Sequence, residues 1–262
     1  MPQIAVNGVE LNYDLTGPEE APVVTLSNSL SSNLGMWDDQ MEALSGYRVL
    51  RYDKRGHGSS SAPEGPYTLE LLADDVIGLW DALGIEKSHF CGLSIGGMIG
   101  QALALRKPPQ LQALMLCDTS SRIPADAAPT WDERIATAKA DGMAALVEGT
   151  IGRWLSEGFI EREPERAEKV REMIRTTSVI GYAGCCRAIG QLDYTDRLSE
   201  IDAPTKIVVG ENDPGTPVEA NEVIYQRIAG SEFQVIPEAL HLPNIEQREI
   251  FNAALTEFLA KH

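Results

Sequence analysis

Short apolar runs alternate with longer amphipathic segments along most of the chain. Residues 3–6 and 9–15 flank the turn Asn7-Gly8 and predict a hairpin. Six further runs are short, continuous and bounded by polar, Gly or Pro residues, which predicts strands buried on both faces. They span 23–26, 47–52, 90–93, 111–117, 206–209 and 233–236. The segments between them, such as 69–83, carry apolar residues at helical spacing. The pattern predicts an α/β fold with a mostly parallel eight-stranded sheet flanked by helices.

One stretch breaks this alternation. From about residue 122 to 192 the chain has helical patterning, is rich in Ala, Glu and Arg, and contains no convincing strand. Pro124 and Pro129 lie near its start, and Pro204 precedes the next strand. A helical segment inserted after the sixth strand predicts a cap over the strand ends, where ligands bind in open α/β sheets. We therefore expect a core of residues 1–121 and 193–262 with a helical cap of residues 122–192.

The segment 92–96, Gly-Leu-Ser-Ile-Gly, matches the pattern G-x-S-x-G. In that pattern a sharp turn between a strand and a helix exposes a serine hydroxyl. Such a pentapeptide also arises by chance, so the segments on either side of it decide whether it forms this turn. An apolar run leads in and a helical stretch, 98–105, leads out, which is the context that the chemistry requires. Ser94 is the predicted nucleophile.

A serine nucleophile needs a base, and the base needs an acid that orients it. In the order typical of this turn, an Asp or Glu and then a His follow the serine. Of the four histidines, His262 is terminal and His89 begins the strand before the turn. His241 follows the last predicted strand and is the favoured base. Asp213, just beyond the preceding strand, is the favoured acid, with Glu211 as a nearby rival.

Two backbone N–H groups are expected to bind the oxyanion of the reaction. One belongs to Ile95, directly after the serine, and the other to Leu30, in the polar loop 27–33. The remaining histidine, His57, lies in the segment Asp-Lys-Arg-Gly-His-Gly-Ser at 53–59. We expect it to be structural, because the base belongs after the last strand.

Composition narrows the class of protein. The formal net charge of −17, from 39 acidic and 22 basic residues, opposes non-specific nucleic-acid binding. Four cysteines show neither a disulfide framework nor the spacing of a metal site. No stretch reaches the ~20 apolar residues of a membrane span, and no signal peptide is visible. We expect a cytoplasmic protein with no metal, no organic cofactor, and no nucleic-acid or membrane partner.

Several motifs resemble those of the α/β-hydrolase superfamily and, within it, of the 3-oxoadipate enol-lactonases. The similarity lies at 26–30 (Leu-Ser-Asn-Ser-Leu) with Met36-Trp37, at 52–59, at 92–98, at 181–185 (Gly-Tyr-Ala-Gly-Cys) and at 241–246 (His-Leu-Pro-Asn-Ile-Glu). Many α/β-hydrolases carry His-Gly in the oxyanion loop. This chain has Asn28-Ser29 there, as enol-lactonases usually do. Ser31-Ser32 departs from the expected Gly-Thr, at a position that we expect near the pocket entrance.

The resemblance implies a serine hydrolase that opens 3-oxoadipate enol-lactone to 3-oxoadipate, in the β-ketoadipate pathway of aromatic catabolism, through an acyl-enzyme. In the cap, Arg134 is the candidate partner of the substrate carboxylate, with Trp131 and Trp154 as apolar walls; a solvated Arg134 in a helical ion pair is equally compatible with the sequence. The alternatives are a general carboxylesterase or cofactor-free haloperoxidase with the same triad, and a non-catalytic ligand receptor. The oligomeric state is left open.

Overall fold

The computed structural model describes residues 1–124 and 128–262. Its centre is one eight-stranded sheet with the order β1-β2-β4-β3-β5-β6-β7-β8. The strands are β1 (Gln3–Val6), β2 (Val9–Thr16), β3 (Val23–Ser27), β4 (Arg48–Tyr52), β5 (Ser88–Leu93), β6 (Leu111–Cys117), β7 (Thr205–Gly210) and β8 (Glu232–Ile236). β2 runs antiparallel to β1 and β4, and every other neighbouring pair is parallel. The predicted α/β sheet is confirmed.

Strand ends differ from the sequence pattern by one or two residues, because the ladders continue onto polar positions. β5 begins at Ser88 rather than at the first apolar residue. The Ser88 hydroxyl is hydrogen-bonded to that of Thr25 on β3, at 2.8 Å, so a polar residue is satisfied inside the sheet.

Helices of the core cover both faces of the sheet. They are α1 (Leu69–Ala82), α2 (Ile95–Arg106), α8 (Val218–Arg227), α9 (Pro243–Glu246) and α10 (Arg248–Leu259). α1 shows how the sequence determines such a helix: the Thr68 side chain accepts the Leu71 N–H at its start. Its apolar residues at helical spacing, including Leu72, Val76 and Leu79, are buried against the core.

Among the described residues, five α-helices lie between β6 and β7, in the segment expected to form the cap. They are α3 (Ala128–Asp141), α4 (Val147–Trp154), α5 (Glu157–Arg162), α6 (Pro164–Thr176) and α7 (Val179–Gly190). We refer to these helices as the cap; residues 125–127 of the expected segment lie outside the described residues. An isolated β-bridge between Arg122 and Asp193 joins the two ends of the segment.

The cap is packed directly on the core. Buried apolar residues of the sheet and of the cap form one contiguous cluster. At one point two backbones touch: a Cβ on Gly181 of α7 would come within 1.9 Å of the Gly56 carbonyl oxygen. Within the described ranges, no helix is long and apolar enough to cross a bilayer.

Candidate active site

A cavity of about 460 Å³ lies between the carboxyl ends of the strands and the cap, a volume typical of small-molecule sites. We call its core side the floor; the floor comprises residues 29–31, Ser94, Asp213 and His241. The cap side includes Trp131, Arg134, Arg153, Trp154 and Tyr182. The structure therefore brings the predicted serine, acid and base together with all three predicted cap residues.

Ser94 stands in a strained turn between β5 and α2, with φ +61° and ψ −120°. That backbone region is costly for residues other than glycine. The flanking glycines are required by space: a Cβ on Gly92 would meet the Gly96 carbonyl oxygen at 2.2 Å, and one on Gly96 would meet that of Ser27 at 2.1 Å. The Ser94 N–H is anchored on the Cys117 carbonyl at 2.8 Å. The turn has the geometry that G-x-S-x-G predicts.

Asp213 and His241 form a buried hydrogen bond of 2.7 Å between Oδ2 and Nδ1. The Asp213 carboxylate also accepts the Gly215 N–H and the Thr216 hydroxyl. Burial by itself would raise the pKa of Asp213, but the His241 imidazole and these donors outweigh it and lower the pKa to about 2. Asp213 is therefore ionised at neutral pH and fixes the orientation of the ring.

Ser94 and His241 both line the cavity, but no hydrogen bond links their side chains among the described residues. In hydrolases this bond is often long without substrate and tightens in the complex. The Trp154 ring lies beside the imidazole, with 6.1 Å between ring centroids, and forms an apolar wall there.

The two expected oxyanion donors have free backbone N–H groups: among the described residues, neither Leu30 nor Ile95 donates its N–H to a protein acceptor. Ile95 is the first residue of α2, so its N–H also lies at the positive end of a helix dipole. The loop that carries Leu30 is held from the segment 53–59. His57 Nε2 accepts the Ser31 N–H at 3.1 Å, and Lys54 Nζ donates to the Ser29 carbonyl at 2.6 Å.

Ser31 and Ser32, which replace the expected Gly-Thr, were both expected near the pocket entrance. The structure agrees for Ser31 and corrects the expectation for Ser32. Ser31 lines the cavity and has φ +57°, a left-handed conformation that favours glycine. Ser32 does not lie at the entrance. It is buried beneath the loop, where its hydroxyl donates to the Ser29 carbonyl at 2.7 Å.

The cap brings two guanidinium groups to the cavity. Arg134 stacks over the Trp131 ring at 4.9 Å, and Arg153 lies one residue before Trp154 on α4. Among the described residues neither arginine has an acidic partner within 4 Å, so the helical ion pair considered for Arg134 is not formed there. Burial, and then the neighbouring Arg134 charge, lowers the pKa of Arg153. Two adjacent cations without a counter-ion favour an anionic group in the cavity.

A second buried acid, Asp118, lies directly behind the site at the end of β6. Its Oδ1 accepts the Gly210 N–H at 2.8 Å, and its Oδ2 has no donor among the described residues. Burial, and then the Asp213 charge, raises the pKa of Asp118 well above its usual range. A protonated Oδ2 explains the missing donor, since two adjacent buried carboxylates do not both ionise.

Asp118, Asp213 and His241 also bring ligand-type atoms within 4.8 Å of one another, a spacing that a metal ion could use. Some of these atoms already have partners: His241 Nδ1 is bound to Asp213, and Asp118 Oδ1 accepts the Gly210 N–H. These contacts favour a hydrogen-bonded Asp213–His241 pair over a metal site.

The rival residues of the sequence analysis lie elsewhere. Glu211 is exposed and accepts the Glu238 N–H outside the cavity. His89 is buried within β5, and the ring of His262 packs on Phe258. None of the three lines the cavity.

Sequence analysis assigned no role to Lys54, Asp118 or Arg153. For Asp118 a signal existed, because it follows a buried strand directly, as Asp213 nearly does. Arg153 adjoins Trp154, a residue already selected, but nothing in the local pattern shows which helix face meets the cavity. Lys54 lies within the motif at 53–59, but its partner Ser29 is 25 residues away in the sequence.

Comparison with known proteins agrees with this geometry. Residues 22–247 match the family model of the alpha/beta hydrolase fold. The 3-oxoadipate enol-lactonase 1 of Acinetobacter baylyi is 38% identical over 96% of this chain and 94% of its own. The crystal structure of the enol-lactonase from Burkholderia xenovorans LB400 has a TM-score of 0.96 and 40% identity, covering 99% of this chain and 100% of that one.

A malate-bound thermophilic esterase from Thermogutta terrifontis is also similar, with a TM-score of 0.94 and 32% identity over 100% of this chain and 99% of its own. The identities and the nearly complete coverage confirm the resemblance that the motifs indicated. The chain is a hydrolase of esters or lactones that belongs to the α/β-hydrolase family, within the group that includes the 3-oxoadipate enol-lactonases.

Proposed function

We propose that this hydrolase opens the ring of 3-oxoadipate enol-lactone and releases 3-oxoadipate through an acyl-enzyme on Ser94. One observation carries the proposal: a strained serine shares a cavity with a buried Asp213–His241 pair and, on the cap side, with two arginines that have no acidic partner among the described residues. The first part suits a serine nucleophile, and the second suits a small substrate with a carboxylate. The names of the enol-lactonase relatives support the same substrate.

Acylation begins when His241 Nε2 takes the Ser94 hydroxyl proton and Oγ bonds to the lactone carbonyl carbon. The tetrahedral oxyanion accepts hydrogen bonds from the Leu30 and Ile95 N–H groups. Collapse breaks the bond between the carbonyl carbon and the ring oxygen. That oxygen leaves as an enolate, which takes the proton from the imidazolium and tautomerises to the ketone, still attached to the acyl chain.

Deacylation repeats these steps with water. His241 removes a proton from the water as it attacks the ester, and returns it to Ser94 Oγ as 3-oxoadipate departs. Asp213 holds the required tautomer of the ring and stabilises the imidazolium in both half-reactions. The reaction uses no metal or organic cofactor in this scheme.

The substrate carboxylate is assigned to Arg134 and Arg153. A planar guanidinium binds a carboxylate through two parallel hydrogen bonds, and a cavity wall of Trp131 and Trp154 excludes water from the pair. The reactive carbonyl then lies towards the floor and the acetate arm towards the cap. Recognition and chemistry therefore use opposite sides of one cavity.

A small-molecule lactone is the expected partner, while the net charge of −17 opposes nucleic-acid binding. All four cysteines are free and buried, and the Cys91 and Cys117 thiols are hydrogen-bonded with their Sγ atoms 3.9 Å apart. The proposed location is the cytoplasm, since buried cysteines without disulfides are typical of reducing compartments, and the proposed place in the β-ketoadipate pathway rests on the enol-lactonase relatives.

A general carboxylesterase is the second candidate, favoured by the 32% identity to the Thermogutta terrifontis esterase. It would use the same floor with a less selective cap. The two functions differ in what the arginines do. An esterase for neutral esters gains nothing from them, whereas the lactonase requires them to bind the carboxylate of its substrate.

The deciding experiment compares turnover of 3-oxoadipate enol-lactone with that of p-nitrophenyl acetate, using Ser94→Ala as the control. We expect a kcat/KM that favours the lactone by at least 100-fold, and an acyl adduct on Ser94 by mass spectrometry after rapid quench. A preference for the acetate ester contradicts the lactonase assignment. Binding of the lactone without turnover or adduct would indicate a receptor.

A further inference from the structure

Lys54 is a buried cation that points at a backbone carbonyl instead of at an acid. Its side chain is 1% exposed. Nζ donates to the Ser29 carbonyl at 2.6 Å and to the Asn28 carbonyl at 3.3 Å. Among the described residues it forms no salt bridge. A buried ammonium without a counter-ion is unfavourable, and an apolar side chain of similar volume would avoid that penalty.

The carbonyl that Lys54 contacts belongs to a particular peptide group. Ser29 C=O and Leu30 N–H are the two ends of one planar, resonance-stabilised amide. A positive donor at the oxygen draws electron density from the nitrogen and makes the N–H more acidic, as in a polarised hydrogen-bond chain. The Ser32 hydroxyl donates to the same oxygen at 2.7 Å, so this carbonyl accepts two donors in a buried site.

The next peptide of the loop is held from the same segment. The Ser31 N–H donates to His57 Nε2 at 3.1 Å, which requires that this nitrogen be unprotonated. Burial, and then the Lys54 charge, lowers the pKa of His57 well below its usual value and so keeps Nε2 unprotonated. The segment itself is fixed by the Asp53 carboxylate, which accepts the Leu34 and Ser59 N–H groups.

We propose that Lys54 is a positioning residue that polarises the Ser29–Leu30 peptide and so strengthens the Leu30 N–H as an oxyanion donor. The inference rests on the proposed function, in which Leu30 binds the oxyanion. It gives the segment 53–59 a part in transition-state stabilisation: Lys54 polarises one peptide of the loop, and His57 fixes the orientation of the next.

The titration of Lys54 provides a signature. Burial lowers its pKa to about 8. The other ionisable groups that face it are Asp53 and His57 on its own segment and Cys185 from α7. Burial raises the pKa of Cys185 to about 12, and His57 is already neutral. Between pH 7 and 9.5 the acylation rate should therefore fall as Lys54 loses its proton.

The test follows acylation of Ser94 by p-nitrophenyl acetate, so that it does not depend on which lactone is the natural substrate. In Lys54→Met we expect acylation to slow by about 10- to 100-fold, less than complete loss of an oxyanion donor, with KM changed less than threefold. The variant should also lose the fall in rate above pH 8. Ser32→Ala removes the neutral donor to the same oxygen and should slow acylation less.

Lys206→Met is the matched control. Lys206 is also buried, lies on β7 and pairs with Glu232 at 3.7 Å, so its removal also deletes a buried ammonium. We expect acylation at the wild-type rate with an unchanged pH profile. Lys54→Met acting like this control would overturn the proposal.

Two further measurements keep the test decisive. If Lys54→Met fails to fold, judged by near-UV circular dichroism, the wild-type profile decides, and a rate that stays flat from pH 7 to 9.5 overturns the proposal. Ser94→Ala separates this inference from the function on which it rests. A burst of p-nitrophenolate that persists in Ser94→Ala contradicts the proposed function, whatever Lys54 does.

Discussion

The floor and the cap face the same cavity but hold their polar groups in opposite ways. On the floor, the Asp213 carboxylate accepts three hydrogen bonds. The Ser31 N–H donates to His57 Nε2. On the cap, Arg134 and Arg153 have no acidic partner within 4 Å among the described residues. On α6 of the same cap, by contrast, Arg171 pairs with Glu148 at 2.9 Å.

The difference separates two tasks. Groups that stabilise a transition state must be oriented before substrate arrives, because reorganisation during the reaction raises the barrier. Cations that select a substrate carboxylate are most useful when no protein carboxylate competes for them. The floor is thus preorganised, and the cap supplies charge that a ligand can neutralise.

The strongest way to break the floor is to remove the charge that orients the base. In Asp213→Asn we expect kcat to fall by about 10⁴-fold with little change in KM, because the amide neither fixes the tautomer nor stabilises the imidazolium. Steady-state kinetics on the lactone measures this. Glu211→Gln is the matched control outside the cavity and should stay within twofold; an Asp213→Asn enzyme within tenfold of wild type would contradict the assignment.

The corresponding change in the cap should act on binding. Arg134→Met and Arg153→Met should each raise KM for the lactone by about 10- to 100-fold, the worth of a charge-assisted hydrogen bond. The effect on kcat should stay below about threefold, with p-nitrophenyl acetate unaffected. Arg187→Met, an exposed cap arginine away from the cavity, is the control. An equal loss for both substrates would mean that these arginines support the fold rather than the carboxylate.

A third change sharpens the contrast by relieving strain on the floor. Ser31→Gly should raise the free energy of unfolding by about 0.5–1 kcal/mol, since φ +57° disfavours a residue with a Cβ. Thermal denaturation should show an increase in Tm of about 1–4 °C. Ser199→Gly, in a 3₁₀ helix, should lower Tm instead. No gain at position 31 would show that the serine side chain compensates for the strain.

The smallest effect is expected for a substitution of Asp118, the buried acid behind the floor. In the folded state Asp118 keeps a proton that the unfolded chain releases above its ordinary pKa of 3.8. Wild type therefore loses stability as the pH rises from about 4 towards neutrality. Asp118→Asn has a neutral side chain of similar shape and carries no such proton.

Its activity should stay within about threefold of wild type, while its Tm advantage grows between pH 4.5 and 8. Paired melting curves at the two pH values measure this. A Tm difference that does not change with pH would mean that Asp118 is ionised in the folded state.

The sheet and the turn at Ser94 could be predicted because both depend on the local sequence: a buried apolar run, a tight turn and then a helix. The choice of Asp213 and His241 also followed from their positions after strands. The contact between Lys54 and the Ser29 carbonyl could not be predicted in this way, because it depends on the parallel register of β3 and β4. Arg153 was missed for a related reason, since the rotation of α4 is determined by packing among cap helices.

The contact between Gly56 and Gly181 has a consequence for protein engineering. A side chain at either position would collide with the opposing backbone. Exchange of this cap for one from another hydrolase must therefore preserve a glycine pair across the junction, however well the new helices suit a new substrate. Because Gly56 lies between Lys54 and His57, a poorly seated donor helix would also displace the loop that carries Leu30. A chimera could then lose turnover even on substrates that it still binds.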